Sequence, residues 1–177
     1  MTIKKSITAK EYEKTQRTAK AVDFIVNNVI PKIPENIRPF FRLKYCEGTK
    51  LDQKTLHALV KAILIFSSHV NVSKKCTIFI GNSPFRFNID SCGSFSYKQK
   101  PESMATTITD HNIIFLNFHI LSRLTSEVCV ASILEEFVHA FLDVPGHPLA
   151  NRIVLLLYPE VTIDDRGEYQ VCLHRTS

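Results

Sequence analysis

A chain of 177 residues, 45% hydrophobic and 22% charged, is sized and composed for one packed core, which excludes a largely disordered protein. Its net charge of +5 has its excess before residue 102, at Lys4, Lys5, Lys10, Lys14, Arg17, Lys20, Lys74, Lys75, Lys98 and Lys100. That excess marks either a solvated lysine-rich surface or a mild attraction for nucleic acid or an acidic partner. No apolar run approaches the roughly 20 residues of a bilayer span, and the polar start lacks the apolar segment of a signal peptide, so a cytoplasmic protein that does not enter membranes is expected.

In chain order, Thr8-Ala9-Lys10-Glu11 has the form of a capping box, and Val22, Ile25, Val26, Val29 and Ile30 then recur at helical spacing until Pro31 and Pro34. Asp52 is a good N-cap for a second helix with Leu56, Leu59, Val60, Ile63 and Leu64 on one face, so two helices are expected ahead of any strand. From Cys76 the period changes. Short strands over 76–80, 94–97, 106–109 and 113–116, separated by Gly81-Asn82, Gly93 and Asp110-His111-Asn112, suggest a meander. A third helix opens near Thr125 or Ser126 and runs to Leu142, and a fourth follows Pro148 over 150–157. The tail over 161–173 has weak strand character. The expected fold class is α+β: N-terminal helices packed on a small, mostly antiparallel sheet with a buried third helix. One domain spans 1–177, with a helical part (1–70), a core (76–155) and a C-terminal extension (156–177).

Five cysteines, Cys46, Cys76, Cys92, Cys129 and Cys172, are odd in number and widely spread, as expected of reduced and mostly buried thiols. Gly81-Asn82-Ser83-Pro84 is a turn without the pattern of a phosphate-binding loop, and no serine sits in a G-x-S-x-G elbow.

The third helix carries the chemistry. Residues 129–134, 137, 138 and 140–142 are apolar on nearly every face, so the helix belongs in the core. Inside it stand Glu135, Glu136 and His139, and burying such groups without partners costs several kcal/mol. Each needs a counter-charge, a hydrogen-bond network or a metal. Positions 135 and 139 project from one helical face, one turn apart, whereas Glu136 points about 100° away. H-E-x-x-H uses the same geometry, with two histidines on zinc and a glutamate activating water.

The segment 113–117 followed by 130–141 resembles the edge strand and active helix of small zincin metallopeptidases. The resemblance implies a strand beside the cleft that binds extended substrate, which assigns substrate binding to Ile114, Leu116 and His119. It implies that His139 is the second histidine ligand and Glu136 the general base. His147, in Gly146-His147-Pro148, is similar to the downstream third ligand of SprT-like members, where a histidine opens the following helix. The chain departs from the family at Glu135, which stands where the first histidine is expected.

Three outcomes are compatible with that departure. Glu135 replaces the imidazole, and Glu135, His139 and His147 hold Zn²⁺, or Fe²⁺ or Mn²⁺, in an enzyme that slowly hydrolyses a protein or peptide substrate. Alternatively the zincin-like scaffold binds no metal, Glu135 pairs with His139, and the protein is a binding or inhibitory module that engages protein or nucleic acid through its basic surface. In the third outcome these are ordinary satisfied polar residues of a helix. His111, flanking the same strand, and Glu160, an acidic group downstream, are weaker candidates for the same cleft.

Overall fold

The computed structural model describes residues 9–82, 85–89, 95–99, 103–108 and 112–172. Helix α1 (Ala9–Asn28) buries Ile25, with Val29 buried just past its end, and leaves Val22 and Val26 exposed, the amphipathic split its spacing implies. Thr8, the first residue of the capping box, lies outside the described residues. Two 3-10 turns, each with a proline near its start, lead into strand β1 (Phe41–Tyr45). This strand corrects the expectation of two helices ahead of any strand. Its F-R-L-K-Y alternation carries the period-two signature of a half-buried strand, with Phe41 buried and Arg42 and Lys44 exposed.

Helix α2 (Gln53–His69) opens as expected, with the Asp52 carboxylate accepting from the Thr55 backbone N–H at 2.8 Å and its hydroxyl at 2.7 Å. There follow β2 (Cys76–Gly81), β3 (Phe85–Ile89), β4 (Phe95–Gln99), β5 (Ala105–Ile108) and β6 (Ile113–Asn117). The short α3 (Phe118–Leu121), α4 (Ser126–Leu142), α5 (His147–Leu157), β7 (Val161–Ile163) and β8 (Tyr169–Val171) complete the chain.

The main sheet has the order β1-β2-β6-β5. Three of the five strand pairs among the described residues are antiparallel, namely β5–β6, β3–β4 and β7–β8. The two at the heart of the main sheet, β1–β2 and β2–β6, are parallel. A parallel pair needs a long connection, and α2 supplies it between β1 and β2. β6 therefore lies inside the sheet, between β2 and β5. The edges are β1 and β5, which corrects the expectation that 113–116 forms the edge strand.

Ile78 and Ile80 of β2 and Ile114 and Leu116 of β6 are fully buried and join α2 and α4 in one core. Aromatic rings pin α4 in that core. Phe137 and Phe141 each pack against Phe41 of β1 and Phe66 of α2, with ring centroids 5.2–5.7 Å apart. Because ladder pairs share a face, Ala105 and Thr107 of β5, opposite Leu116 and Ile114, stand on the side of the sheet that α4 covers. Among the described residues no helix is long and apolar enough to cross a membrane.

Candidate metal centre

Thr125 caps α4 by accepting from the Val128 N–H, and the helix is buried along most of its length from Cys129 to Phe141. With Phe137 and Phe141 committed to the aromatic cluster, helical spacing turns Glu135 and His139 away from it. The helix ends at Asp143, whose φ of +54° is left-handed, and Lys74 pairs with the Asp143 carboxylate there. Gly146 then caps α5, with Pro148 in its first turn, so His147 opens this helix as the sequence suggested.

This reversal brings the three expected ligands together. His147 Nδ1 lies 2.7 Å from Glu135 Oε1, His139 Nε2 lies 3.8 Å from the same oxygen, and ligand atoms of all three residues fall within 4.8 Å of one another. The two imidazole rings stand almost perpendicular, with centroids 5.1 Å apart.

His139 is oriented by its other nitrogen, since Nδ1 donates to the Val144 carbonyl in a short hydrogen bond. Donation of the second ring N–H to a backbone carbonyl is how metal-ligating histidines are held. His139 Nε2 is buried and has no hydrogen-bond partner among the described residues. A buried nitrogen left unsatisfied costs about 1–3 kcal/mol, and a proton or a divalent cation held toward Glu135 would relieve it. The donor set of one carboxylate and two imidazoles suits such a cation.

The electrostatics agree with this geometry. Burial pushes the Glu135 carboxyl up, but the imidazoles of His139 and His147 together outweigh burial and hold it below the usual carboxylate range. The Glu135 carboxylate raises His139, against burial, and the bond to Val144 and the charge of Glu136 add to the rise. Glu136 behaves oppositely: burial pushes it up to about 7, and the Thr107 hydrogen bond offsets only part of that.

Glu136 sits beside the triad in a cleft of about 380 Å³ between β5 and the 143–147 turn, lined by Ala105, Thr106, Thr107, Glu136, His139 and His147 among others. The Thr107 hydroxyl donates to Glu136 Oε2 in a short hydrogen bond. On the far side of the triad stand two more polar residues. One end of the Asn151 amide, in α5, is surrounded by acceptors, so its nitrogen is assigned there, 3.0 Å from Glu135 Oε1 and 3.3 Å from the His147 carbonyl. The Tyr169 hydroxyl of β8 lies 2.8 Å from that nitrogen, and burial and the Glu135 charge raise its pKa.

Other expected residues lie elsewhere. Ile114 and Leu116 are 0% and 1% exposed in the inner strand, so their side chains serve the core and not the cleft. His119 is exposed on α3, 2.7 Å from Arg123 Nη2, and does not line the cleft. His111 falls outside the described residues. Glu160 bonds Lys61 at 3.0 Å and the Tyr158 hydroxyl at 2.6 Å, away from the triad. Asp164 accepts the backbone N–H groups of Arg166 and Glu168 in the β7–β8 turn, where Gly167 takes a φ of +82°.

Thr107, Asn151 and Tyr169 were not read from the sequence. Asn151 carried a signal, since it follows His147 by one turn of α5 and so shares its face. Part of the basic N-terminal charge, at Lys14, Arg17, Lys20 and Lys50, lines a separate concavity of about 720 Å³ between α1 and the β1–α2 loop. Acid tempers it, with Lys14 2.7 Å from Glu47 and Arg17 3.8 Å from Glu13.

No family model, no curated protein and no solved structure matches this chain.

Proposed function

We propose that the protein is a metal-dependent hydrolase of peptide or related amide bonds, zincin-like in arrangement, in which Glu135, His139 and His147 hold a divalent cation, Zn²⁺ ahead of Fe²⁺ or Mn²⁺. The observation that carries this reading is the convergence of three donor groups around a buried His139 Nε2 that has no hydrogen-bond partner among the described residues. When bound, the cation supplies Lewis acidity toward a carbonyl and toward water. Glu136 takes the proton of the attacking water and passes it to the leaving amine. A carboxyl pushed up to about 7 is matched to that exchange near neutral pH. Thr107 holds the carboxylate in place. β5, the end strand beside the cleft, offers its backbone to an extended peptide. Glu135 brings a negative charge that imidazole lacks, which weakens electrophilic activation and makes turnover slow.

A second reading keeps the scaffold as a metal-free binding module. The 2.7 Å pair of Glu135 with His147 favours it, because that pair satisfies the carboxylate without a cation, and the Lys14–Lys50 concavity offers a surface for an acidic partner or nucleic acid.

Metal analysis of the purified protein separates the two. The hydrolase reading expects one equivalent of zinc after zinc loading and dialysis, lost in His139→Ala but kept in Glu136→Gln, which loses hydrolysis of a peptide library. Absence of stoichiometric metal from the wild type defeats it. Salt-sensitive nucleic-acid binding that survives His139→Ala would then support the binding module.

A further inference from the structure

We propose that Asn151 and Tyr169 are positioning residues that hold the Glu135 carboxylate toward His139 and His147, so that the site is built around a carboxylate at position 135. The ligand role of Glu135 rests on the metal reading above, whereas the cradle itself does not.

The argument begins with the donors that face this carboxylate. Glu135 Oε1 receives His147 Nδ1 at 2.7 Å and the Asn151 amide nitrogen at 3.0 Å. Asn151 is only 9% exposed, so its amide must find partners inside the protein, and its two N–H bonds face three acceptors, the Glu135 carboxylate, the His147 carbonyl and the Tyr169 hydroxyl oxygen. Three elements distant in sequence, α4, α5 and β8, thus meet at one carboxylate.

A carboxylate has lone pairs for all of these donors, because each oxygen accepts two hydrogen bonds. A neutral imidazole at the same place offers one acceptor nitrogen and adds an N–H of its own. It would face the Asn151 amide and the His147 ring with too few acceptors and leave a buried donor unsatisfied. The surroundings of position 135 therefore suit glutamate and disfavour histidine. Outer groups of this kind fix ligand orientation and set metal affinity.

The test uses the full chain, metal-free, titrated with Co²⁺ and followed by visible absorption, alongside long-range ¹H–¹⁵N spectra that report which imidazole nitrogen carries the proton. The wild type, Asn151→Leu, Tyr169→Phe and Glu135→His are compared, with circular dichroism confirming the fold. Asn151→Leu is expected to weaken Co²⁺ binding about 10- to 100-fold with a changed absorption band. Without metal, it should move the His147 proton from Nδ1, where the wild type holds it against Glu135, to the Nε2 form usual in water. Glu135→His is expected to bind Co²⁺ no more tightly than the wild type. If Asn151→Leu does not fold, Tyr169→Phe, which removes a single oxygen, is read for the same changes in smaller measure.

Unchanged affinity and unchanged ¹⁵N shifts in the folded variant overturn the positioning role, and tighter binding by Glu135→His overturns the claim that the site is built for a carboxylate. A wild type that binds no Co²⁺ but whose His147 proton moves in Asn151→Leu keeps the cradle and removes the hydrolase reading instead.

Discussion

His147 Nδ1 rests 2.7 Å from Glu135 Oε1 although a helix end and twelve positions of chain separate them. The left-handed residue Asp143 and the Gly146 cap turn α5 back over the last turns of α4, and the first residue of α5 lands on the carboxylate. The pairing makes position 135 a meeting point of charges, and the responses of the two adjacent glutamates to pH follow from it.

Glu135→Gln should destabilise the metal-free protein by about 1–3 kcal/mol, most strongly in mildly acidic solution. The Glu135 carboxyl is held low in the folded state, so its contribution is present above its ordinary value of 4.5 and is lost as pH falls through the folded value. His139 is held high, so its contribution is complete below 6.5 and fades as pH rises through the folded value. Thermal melts of wild type and variant from pH 3 to 9 should show the widest gap between those two limits. A gap that does not vary with pH would contradict the pairing.

Glu136→Gln should act in the opposite sense. The Glu136 carboxyl is raised from 4.5 to about 7 on folding, so the folded state holds a proton that the unfolded chain releases across that range. The resulting penalty grows from pH 4.5 to about 7 and then levels off. Glutamine escapes it and still accepts from Thr107, so the variant should melt a few degrees above the wild type at pH 8 and level with it at pH 4. Chelator-treated protein is the material to measure.

Phe137→Ala should cost about 3–5 kcal/mol in urea unfolding, because the ring is fully buried between Phe41 and Phe66 and its loss leaves a cavity. The same variant should loosen the triad, since Phe137 sets the rotation of α4. Weaker Co²⁺ binding in the folded fraction is the expected companion result.

Cys76 and Cys129 should resist alkylation in the native protein at pH 8. Burial pushes both thiols up to about 12, so almost no thiolate forms, and both are fully enclosed. Mass spectrometry after iodoacetamide should find label at these two only once the chain is unfolded, with the partly exposed Cys46 and Cys172 reacting earlier.

Local chemistry was legible in the residues themselves. Asp52 and Thr125 capped their helices where they stood, the 3.6-residue period outlined α1 and α2, and the four-residue spacing of Glu135 and His139 placed both on one face, because each of these effects acts within a turn or two of chain. The F-R-L-K-Y alternation of β1 and the unbroken apolar run of β6 are local signals too, the first of a half-buried strand ahead of α2 and the second of a strand inside the sheet.

Only the tertiary structure decided which strand borders the cleft, that Thr107 reaches Glu136, and that Asn151 and Tyr169 close on Glu135. These pairings join residues 16 to 34 positions apart through sheet order and helix packing. No local propensity encodes them, because the free energy that selects them comes from burying the whole core at once.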